Sequence, residues 1–379
     1  MEFVHGFFRR VPAVMKVIQI ICQAAEIKIP FVFDNIGGNT FTAEENANML
    51  GVIRSRFGAG VYEKDLHVIG CGTIGRVYRY KDYALKVKIP GVLERIKRDL
   101  VWIEWFASLL DMITMHSFFF HRKVQTVHDS ICRQNDFEHE LQNGMEYTDE
   151  MRRHAIDPNC IFVPKFYPDL SSKDMIAMSF VPGQTVASIP DPAKCIPARV
   201  RDELHKYIIF NLALFKFCHA DLHVGNLILE EHSKRLAVID FGMCAKRLPR
   251  KKIILILKMI HAAQKNDAIT IARLIAMEYY WNKDPTKCII DMPEYYNDLE
   301  YEIVRTMHNS FHSTDLHKIR DVFRIAADWS LPKNVWGSRE MADVEVASIV
   351  SLTNLSIVGM DRDLVRKYFK IVMKIEGVD

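Results

Sequence analysis

HVIGCGTIGRVYRYKDYALKVKIPG, residues 67–91, is the stretch whose reading decides the fold. Gly70, Gly72 and Gly75 stand in it as G-x-G-x-x-G after an apolar run. Two folds use that spacing against a phosphate. In a dinucleotide-binding βαβ unit the third glycine opens a helix, and an acidic residue ends the next strand about 20 residues on. In the other, the loop is the turn of a β-hairpin lying over the phosphates of ATP, and the next strand carries a lysine. Val77-Tyr78-Arg79-Tyr80 is rich in β-branched and aromatic residues, Lys81-Asp82 makes a turn, and Tyr83 to Ile89 alternates until Pro90-Gly91 ends it. No amphipathic helix of about 10–12 residues fits after Gly75, and the strand ends on Lys88-Ile89, not on an acid. The hairpin is the better reading, with a plain structural turn as the alternative for the loop alone. Lys86 then stands 11 residues after Gly75, where its ammonium reaches the α- and β-phosphates. Gly70, Gly72, Thr73, Gly75 and Val77 are the expected cover of the nucleotide.

Two downstream stretches carry the matching chemistry. FCHADLHVGNLIL (217–229) and LAVIDFGM (236–243) give H-x-D, an Asn five positions after the Asp, and D-F-G. From Asp221 to Asp240 is 19 residues, room for a loop and a short hairpin. Phosphoryl transfer needs these groups in this order. Asp221 would orient or deprotonate the attacking hydroxyl or water. Asn226 and Asp240 would hold Mg²⁺, which offsets the phosphate charge that repels an attacking oxygen. D-F-G alone occurs by chance in ordinary turns; five matched positions in sequence do not. Met175 to Gly183 (MIAMSFVPG) reads as a buried strand running into a turn, the expected link between lobes. Backbone groups over 179–182, Ser179 and Val181 among them, would bond adenine.

The predicted fold class is therefore α+β: a two-lobed protein-kinase-like fold with a small β-rich N-lobe carrying extra helices and a mostly helical C-lobe. The expected division is an N-terminal helical extension (1–60), an N-lobe with a helical insert (61–181), and a C-lobe with a helical C-terminal extension (182–379).

HADLHVGNL (219–227) resembles the H-A-D-P-H-P-G-N-L signature of the UbiB/ADCK (aarF-domain) atypical kinases, not the H-R-D of ordinary protein kinases. YALKVKIPG (83–91) is similar to that family's V-A-V-K-V-Q-R-P-G, and NDFEHELQN (135–143) to its L-D-F-x-x-E-A-x-N. The resemblance covers roughly residues 45–280. It implies ATPase or kinase-type phosphotransfer with ATP and Mg²⁺, a link to isoprenoid-quinone and lipid metabolism at membranes, and an ion pair of Glu140 with Lys86. Those two lie 54 residues apart; the family places extra helices there, and residues 92–131 suit that.

The departures fall in one place. The family's K-x-G-Q motif, which reaches into its active site, has its nearest counterpart in Met49-Leu50-Gly51-Val52. The family's E-x-D, whose glutamate partners that lysine, reads Gln134-Asn135-Asp136. Lysine and partner are missing together, as expected if either alone would be a costly buried charge. The family's A-S-I-G-Q-V loop here reads GTIGRV, residues 72–77; Gly72 frees the backbone to curl over phosphates. The expectation is Mg-ATP binding and hydrolysis at a less obstructed site. Two rivals stand beside it. One is an active kinase phosphorylating a protein or small molecule. The other is a nucleotide-gated interaction protein without catalysis.

Composition bounds the rest. The 379 residues, 49% hydrophobic and 26% charged, suit a packed chain of about two domains. Lys and Arg total 50 against 47 Asp and Glu, so no global field holds nucleic acid, and any anion must be gripped locally. No nucleic-acid partner is expected. A lipid or quinone-like small molecule and peripheral membrane contact are implied by the resemblance only. The eight cysteines form no C-x-x-C pair, which favours a reducing intracellular compartment; a mitochondrial or membrane-associated place is implied by the resemblance. Residues 11–26 form an amphipathic stripe too short and charged to cross a bilayer. His308 and His312 stand at i, i+4 with no Glu after the first, a solvated helix face. After Asp240 the basic run Lys246 to Lys252 leads directly into the stripe Ile253, Leu257, Ile260. No A-P-E motif or long activation segment is present for a peptide to dock on. The oligomeric state is not legible.

Overall fold

A computed structural model describes residues 42–72, 74–92, 94, 98, 136–246, 249–281, 284–309, 322, 325, 326, 329, 330, 333, 335–337, 357–359 and 361–377. Thr73, the stripe at 11–26, nearly all of 92–131, Gln134, Asn135 and His312 lie outside the described residues. The chain divides into two units. The first comprises Met1–Asp149, Val163–Gly183 and Ala237–Met243; the second comprises Glu150–Phe162, Gln184–Leu236 and Cys244–Asp379.

Among the described residues the first unit begins with helix α1, Ala43–Phe57. Thr42 and Glu45 close a reciprocal capping box: the Glu45 amide donates to the Thr42 hydroxyl at 3.1 Å, and the Thr42 amide donates to the Glu45 carboxylate at 3.0 Å. Acids in its first turn and Arg54 and Arg56 in its last oppose the helix dipole. Beyond it an antiparallel sheet forms in the order β1 (His67–Cys71), β2 (Gly75–Tyr80), β3 (Tyr83–Lys88), β4 (Met175–Ser179). The two-residue β2–β3 turn is where Lys81 takes φ 53°. A bulge at Ile69 bends β1 just before the glycine loop.

The pairing fixes what each sheet face does. Tyr78, Leu85 and Ala177 stand opposite one another, as do Val77, Lys86 and Ile176. Alternation puts the two sets on opposite faces. The first face packs Tyr78, Leu85, Val87, Met175 and Ala177 against Met49 and Ile53 of α1. Burying a side chain the size of Leu85 is worth about 1.5–3 kcal/mol, so this face holds the sheet and leaves the other for chemistry. Helix α2, Phe137–Arg153, supplies Glu140 to that other face.

In the second unit, helix α3 (Ala198–Ala213) leads into β5 (Phe217–His219). After the Asp221 loop come β6 (Leu227–Glu230) and a turn in which Glu230 N–H donates to Arg235 O at 2.9 Å; the chain then enters β7 (Leu236–Val238), whose Ala237 and Val238 are counted with the first unit. Strand β8 (Cys244–Lys246) pairs antiparallel with β5. Helices α4 (Arg250–Gln264) and α5 (Ala268–Ala276) follow; Ile253 and Leu257 are buried as their spacing predicts. The tail departs from the helical expectation. Strands β9 (Tyr279–Trp281) and β10 (Asp284–Cys288) precede helix α6 (Pro293–Asn309), and β11 (Val335–Gly337) completes a sheet of order β10-β9-β11. The run Tyr279-Tyr280-Trp281 favours a half-buried pleated strand, a signal too short to separate from a helix turn by periodicity. Helix α7, Arg362–Glu376, is capped by Asp361 and ends on Gly377 at φ 67°. Among the described residues no helix is long and apolar enough to cross a membrane.

Candidate active site

Strand alternation turns Lys86 away from the α1 core and toward α2. Its ammonium lies 2.7 and 2.9 Å from the two oxygens of Glu140 and 3.3 Å from Oδ1 of Asp240. Glu140 is 1% exposed, whereas the Asp240 side chain is 45% exposed. Burial pushes the Lys86 ammonium down, but Asp240 and Glu140 outweigh it and hold the ammonium above its ordinary value. Burial pushes the Glu140 carboxyl up, and the pull of Lys86 does not reverse this. The Asp240 carboxylate, beside the same ammonium, adds to that rise.

The glycine loop is built against the same helix. Gly72 N–H donates to Gly75 O at 2.8 Å, closing the turn. A Cβ on Gly75 would meet Val87 O at 3.0 Å and the Phe137 ring at 3.3 Å, so the third glycine is required by close approach. The Phe137 ring in turn lies under both lysines, 5.4 Å from Lys86 Nζ and 4.7 Å from Lys88 Nζ. Gly70 and Val77 stand opposite each other in the β1–β2 register. At the end of β4, Ser179 N–H donates to Lys165 O and Phe180 N–H to Asp82 O, each at 2.8 Å. The Val181 N–H has no partner among the described residues. Two residues that sequence reasoning passed over share the Lys86 face: Ala84 and Met178, cross-strand neighbours and nearly buried. Alternation from Lys86 was the signal for both.

Asp240 takes φ 64°, a left-handed conformation that costs a non-glycine residue of order 1 kcal/mol or more. Phe241 beside it is fully buried, its ring 5.1 Å from Tyr147 and 6.1 Å from Phe166. A Cβ on Gly144 would lie 2.3 Å from Phe166, so glycine is what lets Phe166 reach α2.

The second unit holds the other motif residues. The Asp221 carbonyl accepts from His223 N–H and from Asn226 Nδ2, each at 2.9 Å. That fixes the loop and leaves the Asp221 carboxylate without a partner among the described residues. Asn211 on α3 brackets the strand before it: His219 N–H donates to Asn211 Oδ1 at 2.8 Å, and Asn211 Nδ2 donates to His219 O at 3.5 Å. The structure thus gathers Lys86, Glu140, Asp240 and the loop glycines in the first unit, and Asp221 with Asn226 in the second.

Met49 is not where a K-x-G-Q lysine reaching toward the phosphates would stand. It is fully buried on the α1 face of the sheet, opposite the Lys86 face, and its sulfur accepts from the Tyr78 hydroxyl at 3.7 Å. Arg76, which donates to Asn46 Oδ1 at 3.1 Å, adjoins Tyr78. An ammonium in place of Met49 would be buried in the core with a guanidinium nearby.

Each unit, taken by itself, carries an oxygen ligand of the kind a hard divalent cation takes. Asp240 presents a half-exposed carboxylate, and Asn226, having donated its NH₂ to the Asp221 carbonyl, keeps Oδ1 as an oxygen donor. Such a cation, when bound, neutralises phosphate charge.

A family model for the ABC1 atypical kinase-like domain matches residues 60–275. A chloroplastic aarF domain-containing protein kinase of Arabidopsis thaliana, itself described as uncharacterized, is 26% identical over 248 residues, 61% of this chain and 34% of that protein. The mitochondrial atypical kinase coq-8 of Caenorhabditis elegans is 24% identical over 231 residues, 57% of this chain and 29% of that protein. The chain spans about a third of the length of these curated relatives. A Mycobacterium tuberculosis protein solved with erythromycin aligns at TM-score 0.46 and 16% identity, covering 80% of this chain and 81% of that one.

Proposed function

The chain belongs to the ABC1 atypical kinase-like family, and on that premise we propose that it binds Mg-ATP and moves the γ-phosphate to water or to a small acceptor. The observation that carries the reading is the Lys86 ammonium held between Glu140 and Asp240. A half-buried lysine on a sheet face serves no packing purpose there. Glu140 fixes it in one place, and the α- and β-phosphates are the anions it would meet.

Each remaining residue then has a task. The loop from Gly70 to Gly75, Thr73 included, covers the phosphates. Val77, Ala84 and Met178 give the adenine an apolar face, with backbone groups at Ser179 and Val181 along its edge. Asp240 and Asn226 hold Mg²⁺. Asp221, with a carboxylate free to accept, orients the attacking oxygen or takes its proton. The arrangement supports catalysis over gating alone, since a binding-only protein has no use for Asp221.

A small acceptor is favoured over a peptide. Only nine residues separate Asp240 from the start of α4, and three of them pair as β8 with β5. Little chain remains to form a docking platform. Lipid or isoprenoid-quinone chemistry comes from the family alone. The test is the fate of the γ-phosphate, followed by mass spectrometry with Mg-ATP and quinone-precursor-like phenols or anionic lipid vesicles. Phosphate on a phenol or lipid, or free phosphate released faster in their presence, is the expected result. Phosphate found only on added protein substrates would overturn the small-acceptor reading.

A further inference from the structure

We infer that Asn143 is a positioning residue that sets the Asp240 carboxylate by clamping the peptide unit two bonds beyond it; the inference rests on the reading of Asp240 as a cation ligand. Asn143 Nδ2 donates to Phe241 O at 3.0 Å. The N–H of that same peptide unit, on Gly242, donates to Asp240 Oδ1 at 3.3 Å. A trans peptide is planar, with its C=O and N–H pointing opposite ways. Holding the carbonyl toward α2 therefore aims the N–H at the Asp240 carboxylate. If the plane turned over, the Asp240 side chain would lose the Gly242 N–H.

The clamp is needed because the backbone does not prefer this shape. Asp240 sits at φ 64°, where L-residues stay only when the surroundings enforce it. The Phe241 ring is anchored by Tyr147 and Phe166, but a ring contact alone does not choose the orientation of the following peptide. Asn143, 7% exposed, does. It lies three residues after Glu140 and four before Tyr147, all on one face of α2. One helix face thus holds Lys86 through Glu140, the D-F-G carbonyl through Asn143, and the D-F-G ring through Tyr147. Lys86 and Asp240 cannot drift apart without breaking α2 contacts. Asn143 touches neither phosphate nor cation in this account; it acts through Asp240.

The test compares wild type with Asn143→Ala and the near-isosteric Asn143→Asp. Amide hydrogen exchange without nucleotide is read first, because it does not depend on activity. Exchange over residues 240–243 should rise by about fivefold to tenfold in Asn143→Ala, with α2 protection unchanged. In Asn143→Asp the ionised carboxylate faces a carbonyl and should show the same defect near neutrality. The defect, taken as a ratio to wild type at each pH, should shrink as acid restores an O–H donor. In turnover, the Mg²⁺ concentration for half-maximal rate should rise by about tenfold while KM for ATP at saturating Mg²⁺ stays near wild type. Exchange at 240–243 equal to wild type in both variants would overturn the clamp. Absent turnover in wild type with the exchange defect present would remove the catalytic reading and leave the clamp standing.

Discussion

Lys86, its side chain 17% exposed, and Glu140, 1% exposed, form an ion pair in which each charge offsets the other's loss of water. Their opposing tendencies set a pH window. The Lys86 ammonium is held above its ordinary value near 10.5, so the cation, and the stability it contributes, persists through neutrality and is lost only as pH rises past that raised value. Glu140 runs the other way: burial raises its carboxyl above the ordinary range, so it takes a proton at higher pH than an exposed glutamate. The ionised pair is present above that raised value and is lost as pH falls through it. Turnover should therefore decline on the acid side of neutrality. Glu140→Gln should lower kcat by at least about tenfold, ~1.4 kcal/mol in the barrier, and remove that acid limb from the pH profile. An unchanged acid limb in the variant would assign the titration elsewhere. At this scale the sequence was already explicit about Lys86, Asp221, Asn226 and Asp240, because chemistry fixes both residue type and spacing. It marked Asn143 only as the last residue of a motif, with no role, and was silent about Asn211; both amides act on backbone atoms brought near only by folding.

Among the elements, α2 organises the first unit's chemistry, and α7 gives the second unit a pH-dependent contact. Tyr368 on α7 donates to Asp202 Oδ1 at 2.7 Å, and the Asp361 N–H at its start donates to His205 Nε2 at 2.9 Å. A backbone N–H can only donate, so Nε2 carries no proton; Nδ1 does, and it donates to Arg201 O at 2.6 Å. Burial holds this imidazole below its ordinary value of 6.5, against the Arg201 carbonyl, Asp361 and Asp202, which pull it up, and with the Arg201 charge, which also lowers it. A depressed value means stability that is full above about 6.5 and is lost as pH falls through the lower folded value. The melting midpoint of wild type should thus fall more between about pH 7 and 5 than that of His205→Asn, which cannot titrate. Parallel pH slopes would show that His205 does not govern α7. The element signals in the sequence varied with length. The β2–β3 alternation was plain because local rules decide it. The β9–β11 sheet was not, since its strands are short and its pairing joins residues more than 40 positions apart.

Over the whole molecule, the motif order in the chain predicted a kinase-like fold, and membership of the ABC1 family agrees with it. What the linear reading had no signal for is the way segments return: residues 237–243 group with the first unit although the chain around them belongs to the second. That return carries Asp240 to Lys86. The central claim is that these residues together turn over ATP. The most direct test is Mg²⁺-dependent ATP turnover by the purified protein, with Asp240→Asn and Asp221→Asn prepared identically and matched by melting temperature. The account predicts measurable turnover in wild type and a loss of about a hundredfold or more in each variant; equal rates in all three would contradict it.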